Sequence, residues 1–329
     1  MKWTVRALAF VAAILAAGAS QAQNAPAVAA SGYPERSVKV IVPFAPGGPT
    51  DVMARLLAQK LTERLGKQFF VENQAGAGGN IGMANAAKAA PDGYTILVVS
   101  SSFVVNPSLY TRVPYDPYKD FAPVTIAGDS PNVLVVNPSV PAKSVKELVD
   151  LIRANPGKYN FASAGTGTTP HLSGELFKLS LKLDLVHVPF NGAGPAIQST
   201  VAGHTPIAFT ALPPTTAHVK EGRLRALAVT SRKRTSALPD VPTMEEAGLK
   251  DQEADTMQGI LVPAGTPKEI VERLHREIAA IVATPEIRER FDVLGFEPVA
   301  DTPGEFAARI KVEIEKWGKV IKAAHIKVQ

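Results

Sequence analysis

The chain has 329 residues, of which 46% are hydrophobic and 20% charged. This composition excludes a disordered or membrane-embedded chain and indicates a globular protein long enough for two domains. The formal net charge is only +5, with the basic residues scattered along the chain, so nothing indicates a nucleic-acid-binding surface. The chain contains no cysteine, which excludes disulfides, thiol catalysis and thiolate metal sites.

Residues 1–22 have the pattern of a secretory signal peptide. Lys2 and Arg6 precede the apolar run ALAFVAAILAAGA, and small residues follow it. We predict cleavage after Ala22, with Ala19 as the alternative. The run is too short to span a bilayer comfortably, because a spanning helix needs roughly 20 residues. The mature chain, which loses two basic residues and no acidic ones, is therefore expected to be soluble and exported.

After a small-residue spacer at 23–32, strands and helices alternate along the chain. Continuous apolar runs such as VKVIV predict buried strands, and leucine and valine at helical spacing predict amphipathic helices. Gly66 is expected to end the first helix, and Ser144 with Glu147 to form a capping box. The predicted strands are 38–44, 68–73, 94–102, 132–137, 159–163, 185–190, 206–212, 223–231 and 257–267. The predicted helices are 51–66, 83–90, 144–158, 171–181, 195–204, 213–222, 267–283, 285–294 and 303 to about 325.

Two successive sets of alternating strands and helices predict two doubly wound α/β domains. The last helices follow a return strand, so we expect the second domain, 129–232, to be inserted into the first, 33–128 and 233–329. The chain would cross between them near 124–135 and near 228–258. Two lobes joined by two segments predict a hinge and a ligand cleft.

Ligands of open α/β sheets bind at the carboxyl ends of the strands, so the loops there carry the functional prediction. These loops contain glycine, alanine, proline, serine, threonine, asparagine and phenylalanine, and their only ionisable side chains are Asp51 and His171. General acid–base and nucleophilic catalysis both need titratable groups beside the substrate. Backbone N–H groups at glycine loops and helix starts, in contrast, hold anions well. The loops in question are 43–51, 74–82, 100–107, 163–171, 190–194 and 210–214.

Each candidate feature also has a simpler interpretation. The segment GAGGNIG has G-x-G-x-x-x-G spacing and does not open directly off a strand, so nucleotide binding is not predicted. Asp51 is explained as a first-turn carboxylate that stabilises its own helix. His171 either donates to a ligand or is structural. The remaining histidines lack metal-ligand spacing, so no metal or cofactor is expected.

Several motifs resemble the Bug family of periplasmic solute-binding proteins, the receptors of tripartite tricarboxylate transporters. They are VPFAPGGPTDVMAR, VENQAGAGGNIG, AAPDGYT, GTTPHLSGELF, VPFNGAGPAIQSTVAGH and LRALAVTSRKRTSALPDVPTMEEAG, and they keep the family's order from about residue 33 to the C-terminus. The resemblance implies a two-lobed, type II-like periplasmic binding protein that closes on a small carboxylic acid. It also implies delivery to a membrane permease or, in some members, to a sensor kinase. A monomer is expected.

The resemblance also implies a binding site in which glycine loops hold the ligand through backbone groups and bridging waters. The residues carried over from the family pattern are Phe44, Ala45, Gly47, Gly48, Ala77, Gly78, Gly79, Asn80 and Ser102 in the first lobe, and Ser163, Gly165, Thr166, Gly167, Thr168, His171, Asn191, Gly192 and Ala193 in the second. Catalytic residues are not predicted. The alternative interpretation is a periplasmic hydrolase or lyase on the same scaffold, which would need a base, nucleophile or metal ligand in these loops.

Two positions depart from the family pattern. Ser199 and Thr210 stand where aspartates are common, which would remove acidic partners for a ligand ammonium. The hypothesis that follows favours dicarboxylates, tricarboxylates or aromatic acids over amino acids. Cleft width, which limits the body of the ligand, is expected to depend on Phe44, Phe103 and Phe190.

Overall fold

The computed structural model describes residues 32–323 and residue 326, so the predicted signal peptide and nearly all of the spacer lie outside the described residues. Ten strands and ten helices are defined within that part of the chain. The strands are β1 (Val38–Val42), β2 (Phe69–Asn73), β3 (Thr95–Val99), β4 (Phe121–Val136), β5 (Asn160–Ser163), β6 (Val186–Pro189), β7 (Ile207–Ala211), β8 (Arg225–Val229), β9 (Asp255–Pro263) and β10 (Glu297–Pro298). The helices are α1 (Pro49–Leu65), α2 (Asn80–Ala87), α3 (Ser102–Leu109), α4 (Val145–Arg153), α5 (Thr169–Leu181), α6 (Ala193–Val201), α7 (Leu212–Lys220), α8 (Lys268–Ala283), α9 (Pro285–Leu294) and α10 (Pro303–Ala323).

One mixed sheet runs through the protein in the order β2-β1-β3-β9-β4-β7-β5-β6, and β10 and β8 also pair with β4. The pairs β1–β2, β1–β3, β5–β6 and β5–β7 are parallel, whereas β9 and β4 run antiparallel to their neighbours. We call β1–β3, β9, β10 and the start of β4, with their helices, the first lobe. The second lobe comprises the end of β4, β5–β8 and α4–α7.

Strand β4 is the long element that both lobes share. Its first part pairs with β9 from Phe121 to Pro131, and its last part pairs with β7 and β8 up to Val136. The sequence prediction covered only 132–137 of this strand and was wrong for the residues before it. Proline and glycine interrupt the apolar pattern there, and the pairing with β9 shifts register between Pro123 and Thr125 and again between Ile126 and Gly128.

Helix α3 is a second correction, because the sequence prediction assigned the region from Ser100 to Pro107 to a loop. Pro107 lies inside this helix, and it cannot donate the hydrogen bond that the carbonyl of Phe103 would normally accept. The hydroxyl of Tyr115 donates to that carbonyl instead, at 3.2 Å. A side chain distant in the chain therefore replaces the missing helical bond.

The predicted helix ends are confirmed. Gly66 ends α1 in the left-handed conformation with φ 70°. The Ser144 hydroxyl accepts from the backbone N–H of Glu147 at 3.1 Å, as a capping box requires. The Glu147 carboxylate accepts from the N–H of Lys143, one residue before the usual position, at 2.7 Å. Among the described residues, no helix is both long and apolar enough to cross a membrane.

Helix α10 covers one side of the first-lobe core. Trp317 is 2% exposed in a cluster with Phe306, Ile310 and Ile321, and its indole N–H donates to Glu313 at 2.9 Å. Arg309 on the same helix donates to both carboxylate oxygens of Asp129 on β4, at 2.9 and 3.0 Å. The C-terminal helix therefore anchors the strand that both lobes share.

Replacement of Trp317 by alanine should strongly destabilise the protein. A large buried side chain is lost and a cavity remains, so we expect the free energy of unfolding to fall by about 3–5 kcal/mol. Val312→Ala on the same helix is the matched control, because Val312 is 62% exposed. Urea unfolding measures both variants. Similar midpoints for the two would contradict the assigned role of α10.

Candidate ligand cavity between the lobes

A cavity lies between the two lobes at the carboxyl ends of the strands. The space left inside it is about 20 Å³, which is room for about one water molecule. Both lobes and the return strand β9 contribute to the wall. The lining residues are Phe44, Gly48, Pro49, Thr50, Ser100, Ala164, Thr168, Thr169, Pro170, Ala193, Ala211 and Thr256.

Five helices begin at this wall. Helix α1 brings Gly48, Pro49 and Thr50, α3 begins just after Ser100, α5 brings Thr168, Thr169 and Pro170, α6 begins with Ala193, and α7 follows Ala211. The residues that precede α1, α6 and α7 make no side-chain capping bond to their helices. Because the first N–H groups of a helix lack intrahelical partners and lie at the positive end of its dipole, the cavity favours an anion.

Among the described residues that line the cavity, none has an ionisable side chain. Asp51, which is close in sequence, is buried and turned to its own loop. Its carboxylate accepts from Gly47 N–H at 3.0 Å, from Arg55 at 3.0 Å and from Asn73 at 2.9 Å. Burial opposes its ionisation, but these hydrogen bonds outweigh that effect and lower the pKa of Asp51. The simpler interpretation of Asp51 as a structural carboxylate agrees with these contacts.

One buried histidine, His171, and one half-buried histidine, His187, support the second-lobe loop. Nδ1 of His171 accepts from Gly167 N–H at 3.3 Å, and its ring stacks on His187 with centroids 4.2 Å apart. Nε2 of His187 lies 2.7 Å from the Ser163 hydroxyl. Burial, with Lys178 nearby, lowers the pKa of His171 to about 4, and burial beside His171 lowers the pKa of His187 to about 3. Both rings are therefore neutral near pH 7, and the contacts of His171 agree with the structural alternative.

Four of the predicted site residues, Phe44, Gly48, Thr168 and Ala193, line the cavity. Others lie where the lobes touch beside it. The Ala45 N–H donates to the carbonyl of Asn191 at 2.9 Å, with Gly47 and Gly192 alongside. Gly78 faces the carbonyl of Thr166. The structure therefore brings the predicted loops together, although much of the predicted set forms contacts between the lobes.

The remaining predicted residues lie behind these contacts. Asn80 is buried, and its side-chain oxygen accepts from Asn106 at 2.9 Å, beside Ala77 and Gly79 in the same turn. Ser163 accepts from Gly165 N–H at 3.2 Å. Ser102 is fully buried, and its hydroxyl lies 3.0 Å from that of Ser100. The hydrogen bonds of these residues stabilise the conformation of the loops.

The sequence prediction of the wall needs two corrections and several additions. Phe190, expected beside the cleft, does not line the cavity and packs against a core cluster of the second lobe. Phe103, expected beside the cleft, is fully buried and stacks on Tyr115 in the first-lobe core, because residue 102 begins a helix rather than continuing a loop. The missed wall residues are Pro49, Thr50, Ser100, Ala164, Thr169, Pro170, Ala211 and Thr256. Most lie in loops that the sequence had selected. Thr256 comes from β9, and no local signal marked it.

Thr256 connects the cavity to the shared strands. Its hydroxyl meets that of Thr169 at the start of α5 and donates to the side-chain oxygen of Asn132 on β4 at 3.1 Å. Asn132 in turn donates to the carbonyl of Ala254 at 2.7 Å. In the described ranges 32–323 and 326, no cluster of histidine, aspartate or glutamate could hold a metal ion.

Comparison with known proteins identifies the family of the chain. The sequence profile of the tripartite tricarboxylate transporter family receptor, TctC, matches residues 53–326. The chain belongs to this receptor family. The receptor is also similar to the solved periplasmic binding protein BugD, with 37% identity, a TM-score of 0.87, and coverage of 90% of this chain and 100% of BugD.

Two further solved structures carry ligands. The R. palustris protein Rpa4515 with adipate is 34% identical, with a TM-score of 0.87 and coverage of 90% of this chain and 99% of that one. MatC (Rpa3494) from Rhodopseudomonas palustris with bound malate is 33% identical, with a TM-score of 0.83 and coverage of 88% of this chain and 100% of MatC. The matches confirm the Bug resemblance, the two-lobed α/β fold and a family of binding proteins rather than enzymes.

The histidine pair should make stability depend on pH. In the native receptor the pKa of His171 is about 4, below its ordinary value of 6.5, so the unfolded chain binds a proton that the native state does not. The free energy of unfolding should therefore fall as the pH drops from about 6.5 towards 4. We expect His171→Asn to reduce the loss between pH 7 and pH 5 by on the order of 1 kcal/mol.

Urea unfolding at both pH values, compared with the wild type, measures this effect. His204→Asn is the control, because His204 is exposed. An unchanged pH dependence in His171→Asn would show that the ring is not held neutral in the native state.

Proposed function

We propose that this receptor captures a small carboxylic acid between its lobes and releases it unchanged to a membrane permease. The observation that supports this most directly is the convergence of five helix starts on a cavity without ionisable side chains. A carboxylate has the charge and the hydrogen-bond acceptors that such a wall complements. The adipate and malate bound to related proteins support the same class of ligand.

Within that class, the wall favours dicarboxylates, tricarboxylates or aromatic acids over amino acids. A ligand ammonium would need an acidic or carbonyl partner, and none of the described lining residues is acidic. Thr210, one of the positions where the family pattern has an aspartate, is fully buried on β7. Ser199, the other, accepts from the Thr205 hydroxyl at 2.9 Å and so has a structural contact of its own.

The surrounding organisation belongs to the same proposal. The lobes act as domains 33–128 with 233–329 and 129–232, and they close around the ligand by bending at the shared segments. Residues 1–22 direct the chain to the periplasm, where it acts as a monomer. The predicted glycine-loop residues, from Phe44 to Ala193, hold the acid partly through bridging waters. A hydrolase or lyase function is not favoured, because the wall offers no base or nucleophile with an activating partner.

A ligand screen on the mature receptor tests the proposal. The protein is unfolded and refolded to remove any ligand carried through purification, and then melted with malate, adipate, citrate, benzoate, aspartate, glutamate or glucose. A ligand at 100 times its Kd adds about 2.7 kcal/mol to stability, which should raise the Tm by a few degrees. Stabilisation by glucose alone, by aspartate or glutamate alone, or chemical conversion of the bound acid would overturn the proposal.

Thr50→Val should weaken the binding of the acid that the screen identifies. The change removes one hydroxyl from the wall and keeps the side-chain shape. A hydrogen bond to a charged group contributes about 1.5–3 kcal/mol, so the Kd should rise by tenfold or more. Titration calorimetry measures it, with Thr111→Val as the control because Thr111 is an exposed loop residue. Equal affinity in both variants would place the carboxylate elsewhere in the cavity.

A further inference from the structure

The contact between the lobes is made largely by backbone. Beside the cavity, the loop of Ala45 to Gly48 in the first lobe meets the loop of Asn191 to Gly194 in the second, and we call this contact the seam. A backbone hydrogen bond joins the two loops, from Ala45 N–H to the Asn191 carbonyl at 2.9 Å. A Cβ atom on Gly48 would lie 3.6 Å from the Cβ of Ala193. The two loops therefore approach as closely as small side chains allow.

Gly194 is the tightest point of the seam. It is the second residue of α6 and has an ordinary helical backbone, so its own lobe does not require a glycine there. A Cβ atom at this position would lie 2.5 Å from the carbonyl oxygen of Pro46, about 0.9 Å inside the 3.4 Å at which ordinary contact begins. The other nearest atoms also belong to Pro46 and Gly47, in the opposite lobe.

A glycine at this position makes helix α6 less stable than an alanine would. Alanine is favoured over glycine in a helix by roughly 0.5–1 kcal/mol. The chain forgoes that gain at a position where only the opposite lobe excludes a methyl group. The glycine is thus needed by the closed arrangement and not by the fold of the second lobe.

We propose that Gly194 sets how far the two lobes close, and thereby the length of the acid that the cavity can fully enclose. This inference rests on the proposed function, because it names a residue that governs the specificity of that same site. With a methyl group at 194, the two loops must move apart by about the 0.9 Å of overlap, so the helix starts of the two lobes lie further apart. A short acid then loses contact with one lobe, whereas a longer acid still reaches both.

Gly194→Ala tests the proposal, with Gly304→Ala as the matched control. Gly304 is likewise the second residue of its helix, and a Cβ atom there would meet nothing within 4 Å. Titration calorimetry with succinate, glutarate, adipate and pimelate gives the affinities. We expect Gly194→Ala to weaken the shortest acid that the wild type binds by at least tenfold, with a loss that shrinks along the series. No loss, or a uniform loss along the series, would overturn the proposal.

A second measurement needs no ligand and so separates this inference from the proposed function. The distance between the Cβ positions of residues 48 and 193 suits a disulfide, and the chain has no other cysteine. In Gly48→Cys/Ala193→Cys, oxidation traps every closure event and its rate reports closure. Adding Gly194→Ala should slow that rate at least tenfold, whereas adding Gly304→Ala should not. An equal rate in both would overturn the proposal even if no acid binds.

Melting curves without ligand test whether Gly194→Ala impairs folding. Because the change favours the helix, the Tm of Gly194→Ala should equal or exceed that of the wild type. A wild type that binds none of the acids but shows the difference in disulfide rate would refute the proposed ligand class and retain the role of Gly194 in closure.

Discussion

The N–H groups at helix starts are the constraint on which the rest of this structure depends. Five helices begin at one cavity, and the starts of α1, α6 and α7 have no side-chain cap. Polar groups left without partners in a closed space are costly. The proposed carboxylate would supply the hydrogen-bond acceptors and the negative charge that such groups need. The small, neutral residues of the loops follow from this, because larger side chains would separate an anion from the backbone.

Charge is kept away from the cavity in two different ways. Asp51 is ionised but held by Arg55 and Asn73, so its carboxylate supports the loop from behind. His171 and His187 are held neutral by burial, with their ring nitrogens at Gly167 and Ser163. An ionised carboxylate or a protonated imidazole at the wall would change the field that the helix starts produce. The titratable residues near this site are thus explained by architecture rather than by catalysis.

Local patterns were sufficient where a segment's conformation depends on its own residues. Gly66 and Ser144 end and begin helices as predicted, because a left-handed C-terminal residue and an N-cap hydroxyl act within a few positions. Helix α3 could not be predicted in this way, because the carbonyl orphaned by Pro107 is satisfied by Tyr115. The early part of β4 was missed for a similar reason, since its pairing partner β9 follows it by more than a hundred residues.

The candidate site could likewise be predicted only where its residues belong to a local sequence pattern. The loops around Gly48, Thr168 and Ala193 could be selected because strand, small-residue loop and helix form a local sequence signal. Thr256 could not, because it reaches the wall only through the order of strands in the sheet. Nor could the sequence show which glycines face a ligand and which face the other lobe. That distinction depends on the relative position of two lobes, which no segment of either one encodes alone.

A wall of neutral donors also suits a receptor that must release what it binds. In the closed cavity, the helix starts of both lobes can donate to one ligand at the same time. Backbone N–H groups exposed by opening are instead rehydrated, so affinity can depend on whether the lobes are closed. Strand β4 is shared by the two lobes, and its pairing with β9 contains two register shifts. Thr256 and Asn132 join those strands to the cavity by hydrogen bonds, so the cavity wall and the strand that the lobes share form one connected structure.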